Sequence, residues 1–193
     1  MTGSMMDAAL VGILGLLIGS FLNVVIHRLP RMMERQWAAE CAQYAQDAGL
    51  QAPTAQTMAE PAVFNLLTPR SRCPSCGHEV RWYENIPVLS YLGLRGRCSG
   101  CGTRISARYP LVELATAALF YACAMRWGWS FTTLAWCGFS AALVTLTLID
   151  WDTTLLPDDI TLPLLWGGLL CATLGWTTVP LHDAVIGAAA GYL

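Results

Sequence analysis

Lysine is absent from this sequence, and charged residues of all kinds make up only 12% of its 193 positions. Soluble globular domains usually carry about 25% charged residues. Hydrophobic residues make up 55% and the mean hydropathy is +0.48, so the composition excludes an ordinary soluble domain and indicates that lipid surrounds much of the chain. The formal net charge of -2 provides no overall positive field, so nucleic acid is not expected as a partner.

A basic segment before the first apolar run is also missing, which argues against a secretory signal peptide. That run extends from Ala8 to Ile26 and has 19 residues. As a helix it would span roughly 28 Å, which matches the core of a bilayer. Its glycines at positions 12, 15 and 19 permit close helix packing in lipid. We therefore predict a first transmembrane helix within residues 1–27.

Further apolar runs follow the polar middle of the chain. They cover residues 111–125, 131–149, 160–176 and 183–193. The last has only about 11 residues, short of the ~20 that a spanning helix needs, so we expect it to be incomplete. The pattern predicts an all-α polytopic membrane protein, with transmembrane helices over residues 110–193 and a polar loop at 150–159.

The placement of the arginines predicts the orientation in the membrane. Ten of the 11 lie between Arg28 and Arg108, and the other is Arg126. Basic residues beside membrane spans stay on the cytoplasmic side, so residues 28–109 should form a cytoplasmic loop. Two spans later the chain returns to the same face, which puts residues 150–159 on the cytoplasmic side as well.

Within this loop, residues 31–50 have an amphipathic helical pattern, and residues 51–70 contain three prolines and predict a linker. A small module at residues 72–108 follows. It contains two C-x-x-C pairs, Cys73/Cys76 and Cys98/Cys101, with 21 residues between them. Two such turns can each present two thiolates to one tetrahedral ion, and the gap is close to that of zinc ribbons. We predict a zinc site on these four cysteines.

Two disulfides or an iron ion on the same cysteines are the alternatives. A cytoplasmic loop is reducing, which argues against disulfides, whereas the spacing by itself does not exclude iron. His78 is a possible replacement ligand, but four thiolates already complete the shell and leave no open position. The ion should therefore be structural, and its binding should supply the folding energy of a module too small for its own core.

A second group of polar residues is the acidic segment that begins at Asp150. Carboxylates beside bilayer spans are costly unless they are interfacial or functional. Asp158 or Asp159 can serve simply as the cap of a helix that starts near Ile160, and Asp152 can be solvated. Asp150 directly follows an unbroken apolar run, at the position where a peptide substrate could meet the membrane edge. It is therefore the candidate catalytic carboxylate, with a structural role as the alternative.

Four blocks of the sequence together resemble the bacterial prepilin peptidases, the type IV leader peptidases of pilus and type II secretion systems. Gly19 to Pro30 reads GSFLNVVIHRLP, and Cys73 to Ser106 reads CPSCGHEVRWYENIPVLSYLGLRGRCSGCGTRIS. Arg108 to Leu114 reads RYPLVEL, and Leu148 to Trp166 reads LIDWDTTLLPDDITLPLLW. The four blocks occur in the family's order at compatible spacing, and the resemblance covers nearly the whole chain.

The resemblance implies a multi-pass enzyme of the bacterial inner membrane whose cysteine module is cytoplasmic. Members of the family are aspartic endopeptidases that remove the basic leader from prepilins and pseudopilins, and many also methylate the new N-terminus with S-adenosylmethionine. Asp150 matches their first catalytic aspartate, and Cys73, Cys76, Cys98 and Cys101 match their zinc ligands. Glu113 resembles a residue linked to methyl transfer, although an interfacial acid at the start of a span is the simpler interpretation.

The family's second catalytic aspartate lies in a G-x-G-D block, which this sequence lacks. We therefore expect a fragment or a shortened protein, and expect these 193 residues alone to have no leader peptidase activity. Two other functions stay open: a zinc-containing membrane interaction platform without catalysis, and a methyltransferase that has lost proteolysis. Cleavage of a prepilin, methyl transfer to a pre-cut pilin, or neither would distinguish the three.

Overall fold

The computed structural model describes residues 4–49 and 64–192, and all of the longer regular elements in these ranges are helices. Six α-helices follow in order: α1 Met5–Asp47, α2 Leu89–Gly93, α3 Arg108–Trp127, α4 Phe131–Thr153, α5 Asp158–Thr173 and α6 Leu181–Tyr192. A 3-10 helix covers Trp82–Asn85, and the β-pairing in the described ranges is limited to two isolated bridges. The predicted helical class is confirmed for this part of the chain.

Helix α1 is much longer than the apolar run that predicted it. It begins after Ser4, whose hydroxyl accepts a hydrogen bond from the Asp7 amide at 3.1 Å. Its 43 residues have a length of roughly 65 Å. The predicted boundary at residue 27 lies inside this helix, as does Pro30, and the amphipathic segment of residues 31–50 continues it as far as Asp47. The first part of the predicted linker, through residue 63, lies outside the described residues.

Helices α1, α3 and α4 pack into a bundle with a cluster of buried side chains at each end. One cluster joins the start of α1 to the end of α3 and the start of α4, through Ala8, Phe120 and Cys137 among others. The other joins Leu22 and Ile26 of α1 to Val112 and Ile149. Successive helices are therefore antiparallel. The start of α3 and the end of α4 lie at the same end of the bundle as residues 22–29.

Two glycines let α1 approach the backbone of α3. A Cβ atom built on Gly15 would lie 2.7 Å from the Ala117 Cα, and one on Gly19 would lie 2.7 Å from the Glu113 Cα. Both distances are too short for a real side chain. Gly12 differs, because its Cβ would meet the nearest atom of Tyr121 at an ordinary 3.5 Å. The predicted use of glycine for close helix packing is thus confirmed at positions 15 and 19.

Substitution of Gly19 by alanine is expected to lower the stability of the α1–α3 pair by about 1–3 kcal/mol, since the added methyl group collides with backbone. The matched change Gly12→Ala should have little effect, because that position has room for the methyl group. Equilibrium unfolding of the purified variants in mixed micelles measures both. Equal losses of stability at the two positions would contradict this packing.

Large apolar side chains on the outside of the bundle are exposed in the part of the chain that the structure describes. Leu10, Ile13 and Leu17 of α1 are each 55–57% exposed. Two of the described helices, Met5–Asp47 and Phe131–Thr153, are long and apolar enough to cross a membrane. Helix α5 contains no buried residue although it is mostly apolar. The exterior of this bundle therefore suits lipid better than water.

Candidate metal centre and carboxylate site

The two C-x-x-C pairs form two turns of the same construction. The amide of Cys73 donates to the His78 carbonyl and the amide of Gly77 donates to the Cys73 carbonyl, both at 2.9 Å. The Cys98 turn repeats these two bonds with Thr103 and Gly102, again at 2.9 Å. Gly77 and Gly102 both have φ of 72°, which glycine adopts without strain. The sequence repeat C-x-x-C-G thus produces two equivalent knuckles.

The knuckles face each other and bring four thiols into one cluster. All four sulfur atoms lie within 4.8 Å of one another. The Sγ atoms of Cys73 and Cys101 are 3.8 Å apart, and those of Cys76 and Cys98 are 3.9 Å apart. A tetrahedral zinc ion with bonds of about 2.3 Å has ligand–ligand distances of about 3.8 Å. The cluster therefore fits one such ion, and disulfides, with sulfurs about 2.05 Å apart, do not fit it.

The thiols of this cluster differ in acidity because they share hydrogen bonds. Bonds to the Thr103 hydroxyl and amide, followed by bonds to neighbouring thiols, lower the pKa of Cys101 to about 6. The His78 amide favours the Cys76 thiolate, but interaction with Cys101, burial and the other thiols outweigh it and raise the pKa of Cys76 to about 12. Four thiolates side by side therefore require a cation to offset their repulsion.

His78 is bonded within the protein and is not a member of the group whose ligand atoms form the cluster. Its Nε2 lies 3.2 Å from Glu84 Oε2 and 3.1 Å from the Ser99 hydroxyl. Ser99 also donates to Glu84 Oε1 at 2.6 Å, and the Arg81 amide donates to Glu84 Oε2 at 2.8 Å. Since His78 follows the first knuckle and Ser99 lies in the second, Glu84 links the two. Sequence reasoning missed this link, because Ser99 lies 15 positions beyond Glu84 and no local spacing pairs them.

Glu84 is held in its ionised form. The Arg81 amide, then the Ser99 hydroxyl and His78, lower the pKa of Glu84 from 4.5 to about 2. Its stabilising effect is therefore complete above its ordinary value of 4.5 and is lost as the pH falls toward 2. At neutral pH the carboxylate supports the knuckle pair fully.

Glu84→Gln is expected to accelerate zinc release from the loaded protein by about tenfold, in line with other residues that orient metal ligands from outside the shell. Release to a chromogenic chelator at pH 7 measures the rate. Glu79→Gln is the matched control, since Glu79 is 49% exposed and pairs only with Arg72 at the surface. Identical release from both variants would remove Glu84 from any role in holding the knuckles together.

Arg28 anchors the start of the described loop on α1. Its guanidinium donates to the carbonyls of Asn65 at 2.8 Å and Pro69 at 2.6 Å, and it lies 5.7 Å from the centre of the Phe64 ring. Only 8% of Arg28 is exposed, so this arginine of the HRLP motif acts as a tether. In the same region, the Asn23 side chain donates to the Tyr109 carbonyl at 3.1 Å and fixes the start of α3.

The aspartates of the acidic segment lie at the end of the bundle where this loop begins and ends. Asp150 is exposed and belongs to the last turn of α4. Its carbonyl accepts a hydrogen bond from the Thr154 amide at 2.8 Å, where the left-handed conformation of Thr154 ends the helix. Because Ile149 beside it is fully buried, the backbone of this turn is fixed while the carboxylate stays accessible.

Arg108 ties that turn to the start of α3. Its Nη1 donates to Asp152 at 2.8 Å, and its Nη2 donates to the Leu148 carbonyl at 3.3 Å. The two acceptors lie on either side of Asp150 in the sequence. Arg108 also supplies positive charge to the C-terminal end of α4, whose last turn has no basic residue of its own. Asp152 is therefore engaged in an ion pair.

The expected capping role of Asp158 or Asp159 is corrected by the structure. Helix α5 begins at Asp158 rather than near Ile160, and the N-cap position belongs to Pro157. Both aspartates thus lie in the first turn, where negative charge interacts favourably with the helix dipole. Asp158 accepts a hydrogen bond from the Thr161 hydroxyl at 3.3 Å instead of capping a backbone amide.

Glu113 lies apart from both groups, on the face of α3 that packs against α1. It is 7% exposed, and its Oε2 accepts a hydrogen bond from the Val88 amide at 2.7 Å. The structure thus joins Glu113 to the cysteine module rather than to Asp150. Among the described residues, the four cysteines are the group of potential ligands close enough to hold an ion.

These features define a class of protein: an apolar helical bundle with a four-cysteine cluster that could hold a metal ion and a carboxylate-bearing turn at the same end. A family model described as the bacterial peptidase A24 N-terminal domain matches residues 13–127, and one described as the type IV leader peptidase family matches residues 137–193. The chain belongs to this bacterial type IV leader peptidase family.

Similar curated proteins are named prepilin leader peptidase/N-methyltransferase. One from Aeromonas hydrophila is 56% identical over 96% of this chain and 61% of its own length. One from Burkholderia pseudomallei strain 1026b is 53% identical over 97% of this chain and 59% of its own length. One from Neisseria gonorrhoeae is 50% identical over 95% of this chain and 61% of its own length. The chain therefore spans about 60% of the length of these relatives. No solved structure matches it.

Proposed function

We propose that this protein is a multi-pass aspartic endopeptidase of the bacterial inner membrane. Its substrates would be type IV prepilins and type II secretion pseudopilins, cleaved at the cytoplasmic membrane face. We further propose that it N-methylates the new N-terminus with S-adenosylmethionine. The carrying observation is the position of Asp150, exposed on a fixed turn at the bundle end that also bears the cysteine module. The expected inactivity of these 193 residues alone stays a prediction.

Membrane placement is supported by the exposed apolar surface of α1 and α4 and by the charges at the two ends of the bundle. Arg28, Arg31 and Arg35 lie just past the apolar part of α1, and Arg108 begins α3 at the same end. Arg126 is the arginine of the opposite end. This asymmetry favours a cytoplasmic position for the arginine-rich end and its cysteine module.

The proposed chemistry follows from the substrate's own shape. A prepilin has a basic leader in the cytosol joined to a membrane helix, so its scissile bond lies at the cytoplasmic interface. An accessible carboxylate on the last helical turn of α4 would meet that bond. In an aspartic mechanism, one ionised carboxylate activates a water molecule and a protonated one assists at the carbonyl oxygen. Asp150 is proposed as one of the two, while Arg108 holds the turn that presents it.

Zinc is the proposed ion of the cysteine cluster, held by Cys73, Cys76, Cys98 and Cys101, and it would supply structural stability rather than catalysis. No comparable fit for the methyl donor is found in the cavity of the described residues beside the cysteine module. A cavity of 530 Å³ between α1 and the module is lined in part by Arg28, Arg70, Arg81 and Trp82. S-adenosylmethionine has a carboxylate, which an arginine could bind, but three arginines would repel its sulfonium and ammonium groups, and the cavity lining contains no carboxylate to offset that repulsion. That cavity does not suit the donor, and no step is assigned through it.

Two measurements test this function. Labelling of the exposed Cys41, which lies beyond the apolar part of α1, with a membrane-impermeant maleimide is expected in inverted vesicles and not in intact spheroplasts. Membranes from the native host are expected to remove the leader of a purified prepilin, whereas membranes from a strain in which the gene is deleted are not. Methyl transfer without cleavage would favour a methyltransferase that has lost proteolysis. Absence of both activities would favour the zinc-containing interaction platform. Labelling of intact spheroplasts would mean that Asp150 faces the periplasm, where it could not meet the leader peptide.

A further inference from the structure

The turn between the 3-10 helix and α2 has an unusual backbone. The Leu89 amide donates to the Pro87 carbonyl at 2.5 Å, two residues back, with Val88 in the middle. Val88 has φ of 56° and ψ of -47°, so the three residues form a γ-turn of the rare form with positive φ. A β-branched side chain strongly disfavours positive φ, and such strain persists only where surrounding contacts impose it.

The contact that imposes it comes from the helical bundle. Pro87 is buried, so this turn is inserted among other residues rather than lying on the surface. The Val88 amide, which the γ-turn leaves free, donates to Glu113 at 2.7 Å. Glu113 is itself 7% exposed and depends on such donors, because an ionised carboxylate buried without hydrogen bonds is costly. The Ser20 side chain on α1 also lies close to Glu113.

We propose that Glu113 is a positioning residue that holds the strained Pro87–Val88–Leu89 turn against α3. It thereby fixes α2, and through α2 the second knuckle of the cysteine module, on the helical bundle. Glu113 is the residue that the family resemblance links to methyl transfer. The inference rests on the proposed methyltransferase function only for its relevance to that activity, because the structural role of Glu113 does not require methyl transfer. Glu113 would act through the segment that it holds and would not exchange a proton with substrate or donor.

The distinction has a chemical signature. A glutamine at position 113 keeps an oxygen that can accept the Val88 hydrogen bond, whereas a leucine of similar volume cannot. A residue that works by its ionisable carboxyl group would lose its function equally in both variants. In addition, Val88→Gly removes the strain at its source, because glycine adopts positive φ freely. Val88→Gly should therefore suppress the detachment of the turn that Glu113→Leu causes. If Glu113 only filled space in the packing, no such suppression would be expected.

The experiment uses limited trypsin digestion of the zinc-loaded full chain in detergent, following cleavage after Arg95, which is exposed two residues beyond α2. Cleavage tracks the population in which the segment has detached. Glu113→Leu is expected to accelerate it by about ten- to hundredfold, as loss of a hydrogen bond to a charged group predicts. Glu113→Gln should stay within about fivefold of the parent chain, since its amide oxygen still accepts the bond. When Val88→Gly is added to the Glu113→Leu chain, it should reverse at least half of the increase in the logarithm of the cleavage rate.

Thr116→Val is the matched control, since Thr116 is fully buried one turn along α3 and its hydroxyl donates to the Val112 carbonyl of its own helix. It should leave cleavage after Arg95 unchanged. The proposal is overturned if Glu113→Leu is cut no faster than the parent chain, or if Val88→Gly fails to suppress it. The digestion requires neither leader cleavage nor methyl transfer. A negative digestion result would therefore overturn the role of Glu113 without bearing on the proposed enzymatic function. If methyl transfer is present in the native protein, Glu113→Gln should retain most of its kcat.

Discussion

Replacement of Cys73 by serine is expected to release the bound metal and unfold the cysteine module, while the helical bundle remains folded. Apart from polar links such as those of Glu84, the module has no apolar core of its own: the 3-10 helix and α2 contain no buried residue, and the two buried clusters belong to the bundle. Structural zinc on such ligands supplies about 10–16 kcal/mol at neutral pH, far more than the stability of a small module without it. Loss of one of four thiolates should therefore abolish the module's ordered state.

Elemental analysis of the purified chain measures this directly, with one zinc ion per parent chain expected and iron as the other possible outcome. Cys41→Ser is the matched control, because Cys41 is an exposed cysteine on α1 outside the cluster. Helix content and tryptic cleavage after Arg72 and Arg81 report the two parts of the molecule separately. A Cys73→Ser chain that still holds one ion would show that the four-cysteine assignment is wrong.

Asp150→Asn, introduced into the gene at its natural locus, is expected to reduce leader removal from prepilin by at least about a hundredfold. Loss of a catalytic acid or base typically has an effect of this size. The protein should still be made and inserted, because the structural contribution of Asp150 is its backbone carbonyl, which caps the end of α4 and is retained in asparagine. The exposed carboxylate contributes no buried contact that the substitution would break.

Asp159→Asn provides the comparison, since Asp159 is also exposed and begins the next helix without a catalytic assignment. The ratio of unprocessed to processed prepilin on an immunoblot, normalised to the amount of enzyme, gives the result. Near-normal processing by Asp150→Asn would return Asp150 to a structural role. A comparable loss in Asp159→Asn would indicate a general effect of charge on this loop instead.

The helices were largely predictable because each depends on a local pattern. The apolar runs beginning at Ala8, Leu111 and Phe131 all lie inside helices of the structure, and glycines 15 and 19 make the close packing that their spacing indicates. The continuation of α1 to Asp47 was not predictable as a single helix. Pro30 is a helix-breaking signal in sequence, yet here it lies buried inside the helix, next to Leu29 of the cluster around Ile26.

The arrangement of side chains around the sites was less accessible from sequence. Glu84, Arg108 and Val88 act through partners 15 to 44 positions away, so no local spacing reveals them. The position of Val88 is the clearest case, because its strain is visible only in the backbone angles. The capping assignment of Asp158 or Asp159 was wrong because the N-cap position of α5 belongs to Pro157, which cannot supply a capping side chain.

The sequence by itself determined the apolar helices and the four cysteines that cluster in the structure, because helical periodicity and a C-x-x-C-G turn are both properties of neighbouring residues. The tertiary structure decided that the cysteine module, Arg108 and the Asp150 turn lie at the same end of the bundle. It also decided that the buried Glu113 carboxylate accepts a hydrogen bond from the Val88 amide. Those relations are set by antiparallel packing of α1, α3 and α4, and packing depends on contacts between residues that are distant in the chain.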